Sequence, residues 1–204
     1  SLGMMYFMMK GTPFIYQGQE IGMTNVQFDK VEDYQDVQST GLYYSKLEQG
    51  MSHEDIMEII WATARGNSRT PMQWSHEANG GFTTGTPWLA VNPNYQTINV
   101  EAQEEDPDSI LNFYKEMIAL RKSEDIFVYG TYDLVFEDHQ EIYAYTRTLG
   151  EKRVLILCNL TNKQTSINLE KITVSTDQLL LSNIPVEEHE SIQELTLKPF
   201  EARI

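Results

Sequence analysis

The spacing of apolar residues changes character once along this chain. Up to about residue 126 they recur three and four apart or show no rhythm; from Tyr132 onward they alternate with polar ones. Met4, Met5, Met8 and Met9 fall at helical spacing with little polar face, which predicts an opening helix that needs burial and ends at Gly11. "TPFIYQG" (12–18) reads as a short buried strand, with Pro13 near its start, where a missing N–H matters least. A helix is expected over about 31–49, interrupted near Gly41. Another follows in "SHEDIMEIIWATA", with Ser52 as N-cap, Asp55 as a weak capping box, and Ile56, Ile59, Ile60 and Thr63 as its buried stripe. Residues 65–99 carry Gly, Pro, Asn and Thr without a period. Loops that long are functional or disordered, and Trp74, Phe82, Trp88 and Tyr95 speak for order. "DPDSILNFYKEMIALRKS" is a clear helix, capped by Asp106 or Asp108, with Ile110, Phe113, Tyr114, Met117, Ile118 and Arg121 on one side.

Beyond that helix the period is two. "TYDLVFED", "EIYAYTRT", "KRVLILCNL", "TSINL", "DQLLLSN" and "IQELTLKPFEARI" read as strands, with "LGEK" as the hairpin between the second and third. Short strands so spaced predict a small antiparallel sandwich or barrel. The expected organisation is two domains, 1–126 mixed and loop-rich, 127–204 all β.

Composition narrows the chemistry. A net charge of −15 repels phosphate backbones and anionic membranes, so neither a nucleic-acid nor a membrane partner is expected. Cys158 is the only cysteine; it excludes an internal disulfide and reads as a small core residue. His53, His76, His139 and His189 lack metal-ligand spacing, so no metal or other cofactor is expected. "NLT" (159–161) fits a glycosylation acceptor, but no leader is evident and it reads as coincidence, with a cytoplasmic location expected.

Five segments then carry a resemblance: "GTPFIYQGQEIGMTN" (11–25), "RGNSRTPMQW" (65–74), "GFTTGTPW" (81–88), "VNPNYQTINV" (91–100) and "YKEMIALRK" (114–122). In this order and at these distances they resemble the C-terminal part of the α-amylase superfamily, glycoside hydrolase family 13. The group concerned holds oligo-1,6-glucosidases, dextran glucosidases, sucrose and maltose α-glucosidases and trehalose-6-phosphate hydrolases. The resemblance implies a fold class of α/β plus all-β: the end of a (β/α)8 barrel, then an antiparallel β-sandwich. "GTPFIYQG" resembles the eighth barrel strand and "YKEMIALRK" the eighth barrel helix, so residues 24–100 would be the extended loop between them. Barrel active sites are built from such loops.

Retaining glycoside hydrolysis uses two carboxyl groups about 5–5.5 Å apart. The family places them after the fourth and fifth strands, with a third acid in an Asn-His-Asp motif after the seventh. None of these motifs occurs here, so no catalytic residue is assigned, and neither Glu20 nor Asp33 is promoted to fill the gap. The chain reads as a C-terminal fragment, inactive alone and prone to self-association through the opening helix. Arg65 and Arg69 match the family's Arg-x-x-x-Arg. The resemblance implies that Arg65 reaches the bottom of the pocket and holds hydroxyls of the non-reducing-end sugar, with Arg69 nearer the mouth; a planar fork of donors suits that task. The alternative is that both brace the loop through backbone carbonyls. Where the family usually has Asp after the first arginine, this chain has Gly66. Trp74 and Trp88 read as the loop's own small core rather than as sugar platforms. The implied function is hydrolysis of short oligosaccharides by an α-glucosidase, with α-1,6 bonds expected. The alternatives are a trehalose-6-phosphate hydrolase and, in another class, a non-catalytic carbohydrate-binding or structural β module.

Overall fold

The computed structural model describes residues 1–170, 172, 179–186 and 194–204. In chain order the helices are α1 (Leu2–Phe7), α2 (Val37–Glu48), α3 (His53–Thr63), α4 (Val100–Glu105), α5 (Ile110–Ser123) and α6 (Ile126–Tyr129). The strands are β1 (Thr131–Val135), β2 (Ile142–Leu149), β3 (Lys152–Asn159), β4 (Thr165–Asn168), β5 (Glu194–Leu197) and β6 (Ala202–Arg203). Two compact units emerge: Ser1–Phe14 with Phe113–Ile204, and Ile15–Asn112. Among the described residues no helix is long and apolar enough to cross a membrane.

In the first unit the alternating tail forms two antiparallel sheets, one ordered β1-β2-β3-β6 and one pairing β4 with β5. Part of "DQLLLSN" lies outside the described residues; Leu179 to Asn183 run beside β6, with a single bridge from Ser182 to Arg203. The predicted hairpin is present: Leu149 pairs with Lys152, and Gly150 takes the positive φ that tight turns demand. Ile142, Ala144 and Leu157 from one sheet meet Ile167, Leu169, Leu195 and Leu197 around the other in one apolar cluster. The opposite face of β2 and β3 is buried too, which is why "VLILC" shows no alternation. Cys158 lies there, and burial pushes its thiol up to about 12, so it stays protonated as a core residue. Asn159 is fully buried and its amide donates to Lys163 O and Lys198 O, which removes it as a glycosylation acceptor.

The opening helix is shorter than the methionine pattern suggests, ending at Phe7 with Met8 as C-cap. It does find burial: Met4, Phe7 and Met8 are core residues. Its terminal carbonyls are taken by arginine. Arg121 of α5 donates to Phe7 O at 2.7 Å and Met9 O at 3.1 Å, and Arg147 of β2 donates to Met8 O at 2.6 Å. Residues 12–16 form no strand: Phe14 is 83% exposed, and no described strand of this chain lies beside it to supply ladder bonds. A central parallel strand exists only by pairing with neighbours, so the sequence pattern alone does not make one.

In the second unit the break between 31 and 49 falls earlier than Gly41. A 3-10 turn, Val31–Tyr34, ends where Gln35 takes φ 48°, and Asp36 then caps α2. Gly41 sits inside α2 with nothing within 4 Å, so it costs propensity but breaks nothing. Ser52 caps α3 as expected, accepting from Asp55 N at 3.1 Å. The buried stripe of α3 is Ile56, Met57 and Ile60, with Ala64 beyond; Ile59 and Thr63 face out. These residues pack on Val26, Val31 and Tyr34 to form the unit's core. At the start of α5, Ser109 rather than either aspartate accepts from the Asn112 N–H; Asp106 makes the turn before it by accepting from Asp108 N.

Candidate functional site

The arginine segment begins where α3 ends. Ala64 terminates that helix, and Arg65–Arg69 continue as one 3-10 turn. Four contacts fix the turn. Asn67 Nδ2 donates to Trp61 O at 2.9 Å, Ser68 Oγ donates to Arg65 O at 3.2 Å, and Tyr16 Oη donates to Ser68 O at 2.8 Å. The fourth is packing: a Cβ on Gly66 would stand 3.2 Å from Tyr34 Cδ1 and 3.4 Å from Tyr34 O. Gly66 has no positive φ, so glycine serves here to let Tyr34 close on the turn. Tyr34 is held in turn, its hydroxyl donating to Val26 O at 2.8 Å and accepting from Phe28 N at 3.3 Å.

On this rigid turn the side chains of Arg65 and Arg69 are exposed. Neither makes a hydrogen bond or ion pair among the described residues, so the backbone-brace alternative has no bond behind it. Asp36 lies near enough for the charge of Arg65 to act on its carboxyl. Burial works to raise that carboxyl, but hydrogen bonds from Ser39 and Gln38 and the positive Arg65 together hold it below the usual range. Sequence reasoning missed Asp36. An Asp before an apolar-periodic run signals a cap, but nothing in the sequence signals its approach to a residue 29 positions on.

After the turn the chain is buried. Thr70, Met72 and Gln73 are core residues, and Gln73 Nε2 donates to Ile98 O at 2.5 Å and Asn94 Oδ1 at 3.1 Å. Trp74 N and Ser75 N both donate to Gly80 O, at 2.8 and 3.0 Å. Trp74 is half exposed and Trp88 is 66% exposed, so neither forms a core for the loop; Trp61 instead packs on the α3 core of this unit, its Nε1 donating to Phe28 O at 2.9 Å. Trp88 is anchored by its backbone, its carbonyl accepting from Gln35 Nε2 at 2.8 Å. Glu20 makes no side-chain hydrogen bond among the described residues, and its Oε2 is buried without a partner. The ordinary structural role for that acid is therefore not filled from within the described chain. A separate cleft of about 450 Å³ in the first unit is lined by Phe7, Pro13, Ile118, Arg121 and Tyr129, among others, and by none of the candidate sugar contacts.

Comparison with known proteins gives two family matches. The family described as "Alpha amylase, catalytic domain" matches residues 1–130, and "Maltogenic Amylase, C-terminal domain" matches residues 132–204. The oligo-1,6-glucosidase of Parageobacillus thermoglucosidasius is 50% identical over 199 residues, covering 97% of this chain and 35% of the relative. The trehalose-6-phosphate hydrolase of Bacillus subtilis (strain 168) is 41% identical, with 96% of this chain and 35% of the relative covered. Among solved structures, the trehalose-6-phosphate hydrolase of Bacillus licheniformis superposes with a TM-score of 0.93 at 42% identity, covering 99% of this chain and 37% of that one. The isomaltulose synthase of Klebsiella sp. LX3 does so with a TM-score of 0.90 at 35% identity, with 99% and 36% covered. The chain thus spans about a third of the length of these relatives.

Proposed function

The chain belongs to the α-amylase family, and from that premise we propose that it is the C-terminal part of a retaining α-glucosidase acting on short oligosaccharides, with α-1,6 bonds preferred. The observation that carries this reading is the pair of arginines. Arg65 and Arg69 stand exposed and unbonded on a turn fixed from four sides. A guanidinium with no internal partner is a free fork of donors, and sugar hydroxyls are the acceptors that suit it. The nucleophile and acid would come from the preceding part of the enzyme. The division at 126/127 is the proposed domain boundary, and the lone buried Cys158 fits a reducing cytoplasm.

The second reading, a trehalose-6-phosphate hydrolase, draws on the two relatives of that name. Against it, Lys30, Lys46, Arg65 and Arg69 are the only lysines and arginines from Ile15 to Asn112, far outnumbered by carboxylates. An acidic loop suits a neutral sugar better than a phosphorylated one. The test is a chimera: this chain joined in frame behind the preceding residues of the Parageobacillus relative. It is expected to hydrolyse isomaltotriose and to leave trehalose-6-phosphate untouched. Preference for trehalose-6-phosphate would reverse the order of the two readings. Arg65→Ala in the chimera is expected to lower kcat/KM about 10- to 100-fold, the worth of a charged hydrogen bond, with the unfolding midpoint unchanged. An unchanged kcat/KM would reduce Arg65 to part of the loop's scaffold.

A further inference from the structure

We propose that Asn79 is a modification site: it loses its side-chain amide to attack by the Gly80 nitrogen when the 74–85 loop opens, and the carboxylate left behind keeps that loop from closing again. The inference goes beyond the sugar site and does not rest on it. Asn79 is the only asparagine of this chain followed by glycine. The turn requires both residue types. Asn79 takes φ 56°, ψ 26° and Gly80 takes φ 63°, ψ 24°. Asparagine is among the few side chains at home in left-handed backbone, and glycine enters it freely. Asparagine also counts among the thermolabile residues, and a glycine after it removes the Cβ that would shield the attacking nitrogen. Two conformational demands of the turn therefore write a chemically fragile pair.

The reaction balances with water alone. The Gly80 nitrogen gives up its proton to hydroxide and bonds to Asn79 Cγ; Nδ2 leaves as ammonia, and a five-membered imide closes. Water then opens either C–N bond of the imide, which leaves aspartate or its β-linked isomer. The closed loop holds this chemistry back from both sides. Gly80 N–H donates to Glu77 O at 2.9 Å, and Asn79 Nδ2 donates to Thr83 O at 3.1 Å and Gly85 O at 3.0 Å. Ring closure needs the Gly80 nitrogen to eclipse Asn79 Cβ, whereas ψ 26° leaves it nearly eclipsing the backbone nitrogen of Asn79 itself. Turning the peptide to the reactive torsion breaks two bonds, Gly80 N–H to Glu77 O and Phe82 N–H to Asn79 O at 3.1 Å. The reaction therefore waits on local opening. Afterwards the donor is gone. A carboxylate only accepts, so it repels the two carbonyl oxygens that the amide had bound, and "GFTTGTPW" (81–88) loses that tie.

The 204-residue chain tests this without any turnover. Held in mildly alkaline buffer below its unfolding midpoint, it is expected to gain an acid at Asn79 before Asn67. Asn67 is the control, an asparagine followed by serine inside the arginine turn. Peptide mass mapping reads the site, and an isoaspartyl methyltransferase reads the β-linked product. A synthetic peptide spanning 76–85 gives the ungated rate. The chain is expected to be about tenfold slower, because opening first breaks two backbone hydrogen bonds. Gly81→Ala leaves the reacting pair intact but sets a Cβ 2.6 Å from Ser75 Oγ at φ 67°, so it should open the loop and speed the change at Asn79. Asn79→Asp mimics the product and keeps a residue that tolerates left-handed backbone, which isolates the lost donor. The Trp74 and Ser75 amide hydrogens, which donate to Gly80 O at 2.8 and 3.0 Å, should then exchange about tenfold faster. Asn67 changing before Asn79, Asn79 changing at the rate of the free peptide, no acceleration in Gly81→Ala, or unchanged exchange in Asn79→Asp would each overturn the proposal.

Discussion

At the scale of single residues, Gly66 is the position where sequence and structure give different advice. Read as a sequence, it is a missing carboxylate, and Gly66→Asp promises a better partner for Arg65. The structure shows that the space is taken, because Tyr34 stands within 3.2 Å and is pinned by its hydroxyl to Val26. A new Cβ forces either the ring or the turn to give, and overpacking of that kind costs about 1–3 kcal/mol. Gly66→Ala and Gly66→Asp are therefore expected to lower the unfolding midpoint by similar amounts, several degrees for a chain of this size. Scanning calorimetry on the three chains would decide it. If Ala is neutral and only Asp destabilises, the cause is the buried charge and not the packing. The arginines themselves were legible from the sequence as a motif and their exposure was not, because nothing in the motif says which way a side chain points. Trp88 shows the same limit: an aromatic in a long loop suggests a core, yet the core is built from Val26, Tyr34, Ile56, Met57 and Ile60.

At the scale of elements, the tail was legible because short apolar runs set between turn signals mark strands, and β1 to β4 fall on four of them, although burial alternates strictly only in β4, since β2 and β3 are covered on both faces. What stayed hidden were the partners. The sequence shows that the opening methionines need burial, but not that two arginines close their helix. Arg147 is fully buried without a carboxylate; it donates to Thr131 O, Met8 O, Phe127 O and Gly130 O. Burial pulls its pKa down, and four carbonyls at helix ends and turns hold the charge. Arg147→Met removes every one of those donors, and buried carbonyls left unpaired cost about 1–3 kcal/mol each. The expected loss is at least ~3 kcal/mol in urea unfolding; a loss under ~1 kcal/mol would show that water replaces the guanidinium. Cys158 on β3 gives a pH test. Its folded value, about 12, lies above its ordinary 9.0, and burial is the main cause. Above pH 9 the unfolded thiol ionises first, the unfolded state then holds fewer protons, and stability falls as pH rises toward 12. Cys158→Ala is expected to flatten that slope, by up to ~1.4 kcal/mol per pH unit. An unchanged slope would assign the alkaline loss to the buried tyrosines.

At the scale of the whole molecule, the chain is expected to show no α-glucosidase activity by itself. Residues that position a sugar supply neither nucleophile nor general acid, and the family's Asn-His-Asp motif is absent from this sequence. Measurable turnover of an α-glucoside by the purified chain would show that the catalytic carboxylates lie within it after all. Association is the subtler matter. The helix that seemed to need a partner has one, since Met4, Phe7 and Met8 are buried within their own unit. Apolar surface also remains off that helix: Phe14, Tyr16, Val37, Trp88, Tyr129 and Phe200 are each more than half exposed. Exposed aromatics favour sticking, while a net charge of −15 keeps copies apart. The two forces respond differently to salt. The charge repulsion is screened, with a Debye length falling from about 10 Å at 0.1 M to about 3 Å at 1 M, whereas burial of apolar surface is not weakened. The chain is therefore expected to be largely monomeric in dilute buffer and to associate as sodium chloride is raised, with Phe14→Ser reducing the effect. Light scattering across a salt series reads this directly. A chain that stays monomeric at every salt concentration and binds no hydrophobic dye would remove Phe14 as a sticky residue.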